Sequence, residues 1–402
     1  MTDTVFILGA GYSYAAGIPL LSGFVERMWQ FAIRRSNGDK PLTQEDIEIF
    51  NAAIKIRDEL DSYHGRAMFD DRNIEDILSI LSFNMLGGAR RDKEKIAAMN
   101  RAIARTIDLC CTVEHPGVNK EGRNSLNESG PQLYRDFWSC IFSAAARGKK
   151  IPTIITFNYD LVLERSLHQH LIGANYNNFD KRFPATRIAL NYNYDHAPRS
   201  EFEIVYTRYN SHSARGMSEI DGTILKSVEP NERAHTLEVD ILKLHGSLNF
   251  ARRKENEASS FPHAITKSIA EPFILPPIFN KMTNGAPTAM WQSGLEKLRE
   301  AKNIVIVGYS LPQTDIYMQY FLKAALGPNL NLNKIFVFDP VLFCENEHGE
   351  AMRRRYESCF APQLRPRIEF RPDCTNISNN VKHGTADHFV QLLHKNRGEL
   401  IF

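Results

Sequence analysis

Five short constellations combine residue types able to bind a polar ligand and move a proton. The first is Gly9-Ala10-Gly11-Tyr12-Ser13, followed by Gly17-Ile18-Pro19. A strand ending in Gly-x-Gly turns tightly and lets backbone N–H groups approach a pyrophosphate, and the Ser13 hydroxyl is a further donor. The second is Thr156-Phe157-Asn158-Tyr159-Asp160. The Asn158 carboxamide both donates and accepts, so it suits a hydroxyl or a water without adding charge. The third is Leu244-His245-Gly246. An imidazole, with an unperturbed pKa near ~6.5, suits a general base at neutral pH. The fourth is Gly308-Tyr309-Ser310, and the fifth is Asp339, followed by Pro340. Each also admits a plainer role. A Gly-x-Gly serves in ordinary turns, Asn158 can cap the helix that follows, and Asp160 in a first turn favours the helix dipole. His245 is one of thirteen histidines, and Asp339-Pro340 can be a simple turn.

Other chemistries find no support. The step from Gly11 to Gly17 departs from the dehydrogenase G-x-G-x-x-G spacing, and no acid closes a second strand ~20 residues on, where that class binds ribose. The chain contains no His-Glu-x-x-His, Gly-x-Ser-x-Gly or Walker A sequence.

In order along the chain these motifs resemble the sirtuins. Gly-Ala-Gly-x-Ser-x-x-x-Gly-Ile-Pro, residues 9–19, is similar to the sirtuin NAD-binding opening. Thr156-x-Asn158-Tyr159-Asp160 resembles the strand end that sets an Asn and an Asp at the nicotinamide end of NAD. Leu244-His245-Gly246 resembles the segment of the catalytic histidine. Gly308-Tyr309-Ser310 resembles the Gly-x-Ser loop on the phosphate and ribose side, and Asp339 lies where sirtuins read the adenosine half. Pro276-Pro277 and the run Gly-Tyr-Ser-Leu-Pro-x-Thr-Asp, residues 308–315, look more like bacterial sirtuin-like proteins of anti-phage defence than like protein deacylases. Two departures point the same way. The zinc module of two C-x-x-C pairs is missing, and Leu20-Leu21-Ser22 replaces the Asp-Phe-Arg that follows Gly-Ile-Pro in deacylases.

The resemblance implies an NAD+ hydrolase that gives nicotinamide and ADP-ribose, acts in abortive infection and needs no zinc. It implies a homo-oligomer, with a ring-forming ATPase of the HerA helicase type or an Argonaute-like protein as partner. The alternatives are a protein deacylase or ADP-ribosyltransferase, and a non-catalytic sensor of NAD or ADP-ribose. The chemistry suits the side chains. The nicotinamide–ribose bond breaks through an oxocarbenium-like state with a neutral leaving group, which needs no general acid. Asn158 would hold a ribose hydroxyl or water, His245 would be the base, and Asp160 would orient the nicotinamide amide or Asn158.

These residues sit where the pattern predicts strand ends. Val5–Leu8, Ile151–Phe157, Ile241–Leu244, Ile304–Val307 and Lys334–Phe338 read as strands, with a further one at Arg367–Phe370. Helices are expected from Leu20 to Ile33, through Gln169, and over Ala289–Ala301, Thr314–Leu326 and Ala386–His394. Alternation of apolar strands and helices predicts an α/β fold, a Rossmann-like doubly wound parallel sheet with its ligands at the strand C-termini. The expected core is discontinuous, residues 1–40 with 150–170 and 241–402. Residues 41–149 read as a helical insertion, with stripes such as Leu133, Phe137, Cys140 and Ile141, and Asn73 as a cap. Residues 171–240, rich in Tyr, Asn and Arg, read as an irregular β-containing insertion. Phe273–Phe279 reads as an extended loop.

Composition sets the outer bounds. The 402 residues carry 49 basic and 47 acidic side chains, a net charge of +2, which argues against a dominant nucleic-acid surface. The basic runs Arg252-Arg253-Lys254 and Arg353-Arg354-Arg355 lie beside acids and read as solvated faces, so nucleic acid is expected only weakly or through a partner. No apolar run approaches the ~18–20 residues of a membrane span. The N-terminus has no basic leader, so a cytoplasmic protein with free thiols is expected.

Overall fold

The computed structural model describes residues 3–62, 70–86, 90–116, 129–173, 187–198, 201–213, 216–227, 236–251, 263–275, 288–313, 315–370 and 381–395. Its elements are β1 (Thr4–Leu8), α1 (Ala10–Ser13), α2 (Phe24–Arg34), β2 (Ser36–Asn37), β3 (Lys40–Pro41), α3 (Gln44–Asp61), α4 (Ile74–Leu86), α5 (Arg90–Cys110), α6 (Leu133–Ala146), β4 (Thr153–Thr156), α7 (Val162–Gly173), β5 (Arg187–Asn191), β6 (Glu201–Ser213), β7 (Gly216–Ser227), β8 (Thr236–Lys243), α8 (His263–Thr266), α9 (Thr288–Glu300), β9 (Asn303–Val307), α10 (Ile316–Leu326), β10 (Lys334–Phe338), α11 (Glu347–Ser358), β11 (Ile368–Glu369) and α12 (Ala386–Lys395).

Strands made only of apolar residues must be covered on both faces, and Val5 to Leu8 of β1 are fully buried. The sheet runs β11-β10-β9-β1-β4-β8-β5-β6-β7. The seven strands from β11 to β5 are all parallel, and β6 and β7 extend the sheet as an antiparallel pair. Helices cover both sides. Phe6 of β1 meets Phe137 of α6 and Phe389 of α12, and Phe338 of β10 meets Phe389 from the same side. On the opposite face Gly294 of α9 comes close to Ile155 of β4 and Phe321 of α10. This is the expected Rossmann-like doubly wound α/β fold. The chain leaves β1 toward β4 and later returns to its other side at β9. The winding therefore reverses between β1 and β9, and open α/β sheets of this kind bind their ligands at the strand C-termini beside such a point.

Several boundaries differ from the sequence pattern for identifiable reasons. The segment 171–240 is not wholly apart from the core. Its β5 pairs in parallel with β8 and buries Ile188 and Leu190, and β8 already begins at Thr236. The helical segment 41–149 also divides. Its last helix, α6, lies on the sheet, while α3 packs beside α2 through Phe50 and Phe31. The helix expected from Leu20 starts at Phe24, after a 3-10 turn over Leu21–Gly23, because a glycine in a first full turn is a poor helix former. Asn73 does cap α4, its Oδ1 accepting from the Glu75 N–H at 3.0 Å. Residues 353–355 lie on α11, a helix capped by Asn346. Pro276-Pro277 and Arg252-Arg253-Lys254 fall outside the described residues. None of the described helices is long and apolar enough to cross a membrane.

Candidate functional site

Four backbone hydrogen bonds carry the sheet pairing one step past the strands and draw the motifs into a row. Gly308 N–H donates to Phe338 O at 2.8 Å, and Gly9 N–H to Val307 O at 2.9 Å. Phe157 N–H donates to Leu8 O at 3.4 Å, and Leu244 N–H to Thr156 O at 3.0 Å. Asp339, Gly308, Gly9, Asn158 and His245 thereby follow the ends of five neighbouring strands, β10, β9, β1, β4 and β8.

The glycines are explained first by packing. A Cβ on Gly9 would stand 2.5 Å from Gly308 O, and one on Gly11 would stand 2.7 Å from Gly308 Cα. Gly308 has φ +63°, and its Cβ would meet Gly11 C and Tyr12 N at 2.4 Å. The loops after β1 and β9 thus touch backbone to backbone. Gly11 N–H donates to Gly308 O at 2.8 Å and Tyr12 N–H to Gly9 O at 2.9 Å. The N–H groups of Gly9 and Gly11 are therefore spent within the fold. The missing side chains make room for the Gly308 loop. Ala10 between them is exposed.

Asn158 is the joint of the row. Its Nδ2 donates to Gly9 O at 2.8 Å and to Ser13 Oγ at 2.9 Å, which uses both amide hydrogens and orients the group. It does not cap the next helix. Asp160 takes that part, its Oδ1 accepting from Val162 N–H at 3.0 Å. Thr156 is fully buried and acts as a clip, donating to Leu8 O at 2.8 Å and accepting from Asn158 N–H at 3.1 Å.

His245 is buried against rings, with Phe157 at 5.0 Å and Trp291 at 6.2 Å between centroids. Phe157 in turn lies 4.9 Å from Tyr309, so a row of rings runs from the loop after β9 to His245. Gly246 has φ +90°, and its Cβ would fall 2.1 Å from Phe273 O, so only glycine fits behind the histidine. Trp291 is anchored by its Nε1, which donates to Leu244 O at 3.1 Å.

Other expected residues lie further from this joint. Gly17, at φ +84°, packs on the end of α5, where its Cβ would meet Cys110 O at 2.7 Å. Pro19 is half-buried, just before the turn that leads into α2. Ser310 is exposed, and its backbone oxygen accepts from Arg355 at 3.2 Å. Asp339 is buried and receives the Val341 N–H at 2.9 Å. Burial raises its carboxyl above the ordinary range, against the opposing pull of that N–H and of Arg355.

Sequence reasoning missed three groups. Arg355 belongs to a run read as a solvated face, yet it alone of the three reaches Ser310 and acts on Asp339. Tyr309 donates to Asp315 at 2.6 Å and its backbone oxygen accepts from the Tyr356 hydroxyl, which ties α10 and α11 to the loop. Lys243 and Glu164 form a buried pair beneath the site. The available signal was a lysine inside the apolar run Ile241–Leu244, two residues before His245, and a glutamate amid the leucines of a buried helix. Among the described residues no three His, Cys, Asp or Glu side chains are grouped to hold a metal, and the five described cysteines are free. In comparison with known proteins, no family model and no curated protein matches the chain.

Proposed function

We propose that the chain is an NAD+ hydrolase that cleaves the nicotinamide–ribose bond to nicotinamide and ADP-ribose. One observation carries the reading. Asn158 is tied by its amide hydrogens to Gly9 and Ser13, beside the point where the winding reverses, so its Oδ1 keeps a defined direction. Such a group holds a hydroxyl or water in place as positive charge builds on the ribose. Nicotinamide leaves neutral, so the demand falls on orienting the ribose and on taking a proton from the entering water. Water attacks the anomeric carbon as the C–N bond breaks, and His245 receives the proton. The rings around His245 limit the access of bulk solvent to that step.

The sirtuin-like motifs extend the proposal to a cytoplasmic, homo-oligomeric effector of anti-phage defence that depletes NAD. In that setting it is partnered by a ring ATPase of the HerA type or by an Argonaute-like protein. The test of the chemistry is nicotinamide release from NAD+ by the purified protein and by Asn158→Ala and His245→Ala. Each variant is expected to lose about 10²-fold or more in rate. Full activity in both variants, or a wild type inert with every such partner present, refutes the reading.

A further inference from the structure

Lys243 closes β8 two residues before His245, with its side chain 1% exposed. Its Nζ donates to Glu164 Oε1 at 3.0 Å and to the backbone oxygen of Asp160. Glu164, on the first turn of α7, is 0% exposed and also accepts from the Tyr192 hydroxyl at 3.3 Å. Among the described residues no donor reaches its Oε2. Ionised groups leave water at a high cost, and a buried carboxylate oxygen without a donor adds to it. Apolar residues of the same volume often serve stability as well or better.

What the pair supplies is geometry. The Asp160 oxygen lies two residues after Asn158, and Lys243 lies two residues before His245, so one ammonium links the two segments that carry the two groups. The other sides of the Asn158 loop are held as well. Gly9 and Ser13 take its amide, and Leu248 N–H donates to Tyr159 O at 2.9 Å. The buried link closes the loop from below.

We propose that Lys243 and Glu164 are positioning residues that set the separation of Asn158 from His245. The meaning of that separation rests on the NAD-cleaving reading; its existence does not. The test uses the full-length protein with Lys243→Met and Glu164→Gln combined, which removes both charges at nearly constant volume. Lys243→Met alone leaves a carboxylate buried without its cation and endangers the fold.

Two measurements decide. Amide hydrogen exchange of residues 158–161 is expected to rise about tenfold or more while β9 and β10 keep their protection. The kcat for nicotinamide release is expected to fall about 10- to 100-fold, with KM for NAD+ within about threefold of wild type. Unchanged exchange at residues 158–161 overturns the proposal. So does a kcat within about twofold of wild type, or exchange that rises equally throughout the sheet, which marks a purely structural role. If the wild type releases no nicotinamide even with those partners present, the NAD reading fails by itself, and the exchange data still decide whether the pair holds the loop.

Discussion

Gly308→Ala probes the backbone contact on which the site is built. At φ +63° an L side chain costs about 1–2 kcal/mol by itself. The new Cβ would also lie 2.4 Å from Gly11 C and Tyr12 N, about 0.6 Å inside the 3.0 Å that real Cβ atoms keep. Both obstacles are backbone, so no side chain can swing aside, and the loops after β1 and β9 must separate. Such overpacking costs about 1–3 kcal/mol, partly through the stretched hydrogen bond from Gly11 to Gly308. Gly148 supplies the control, because it has φ +80° and nothing within 4 Å of its Cβ position. Gly148→Ala therefore carries only the conformational cost. Urea unfolding followed by tryptophan fluorescence is expected to give a loss of about 2–5 kcal/mol for Gly308→Ala and about 1–2 kcal/mol for Gly148→Ala. Nicotinamide release is expected to fall about tenfold or more in the first and to stay unchanged in the second, since displacement of this size at a site is costly. Equal stability and equal rates in the two variants would refute the argument that backbone contact between these loops shapes the site.

The join between the helical segment and the core is equally open to test. Arg165 of α7, only 4% exposed, holds Asp108 of α5 at 2.6 Å, and Arg105 links Asp108 to Asp46 of α3. Asp108→Asn leaves Arg165 buried without its counter-charge but still bound to the Thr266 and Val113 oxygens, so urea unfolding should show a loss of about 2–4 kcal/mol. A loss under about 1 kcal/mol would show that the pair contributes little. Acid should erase the same contribution. Burial alone would raise the Asp108 carboxyl, but Arg165, Ser268 and Arg105 together hold it below its ordinary value. A carboxyl depressed by folding stabilises above its unfolded pKa and stops doing so as pH falls through the folded one. The difference in urea midpoint between wild type and Asp108→Asn should therefore be full at pH 7 and narrow below about pH 4; a constant difference contradicts the assignment.

Much of the candidate site's placement was legible because it lies at strand ends, where local pattern is strongest. Lys334–Phe338 forms β10 as expected, and Ile304–Val307 lies within β9. Burial on both faces selects unbroken apolar runs, and the glycine or polar residue that follows marks where the sheet stops. What local pattern does not carry is the identity of a distant partner. Nothing in Arg187–Asn191 by itself shows that it will lie parallel to Thr236–Asp240, so a core strand reads as part of an insertion. Lys243 lies inside the run Ile241–Leu244, and nothing local shows that α7 will bring Glu164 beneath it.

The sequence by itself determined the strand ends, the α/β alternation and the residue types gathered there. Tertiary structure alone decided that Gly9 and Gly11 are glycines in contact with Gly308, that Asn158 is held by Gly9 and Ser13 instead of capping a helix, and that Arg355 turns toward Ser310. The physical reason is range. Propensity and periodicity act over a few residues, whereas these contacts join atoms close in space and far apart along the chain. Their energies depend on which surfaces the folded sheet brings together.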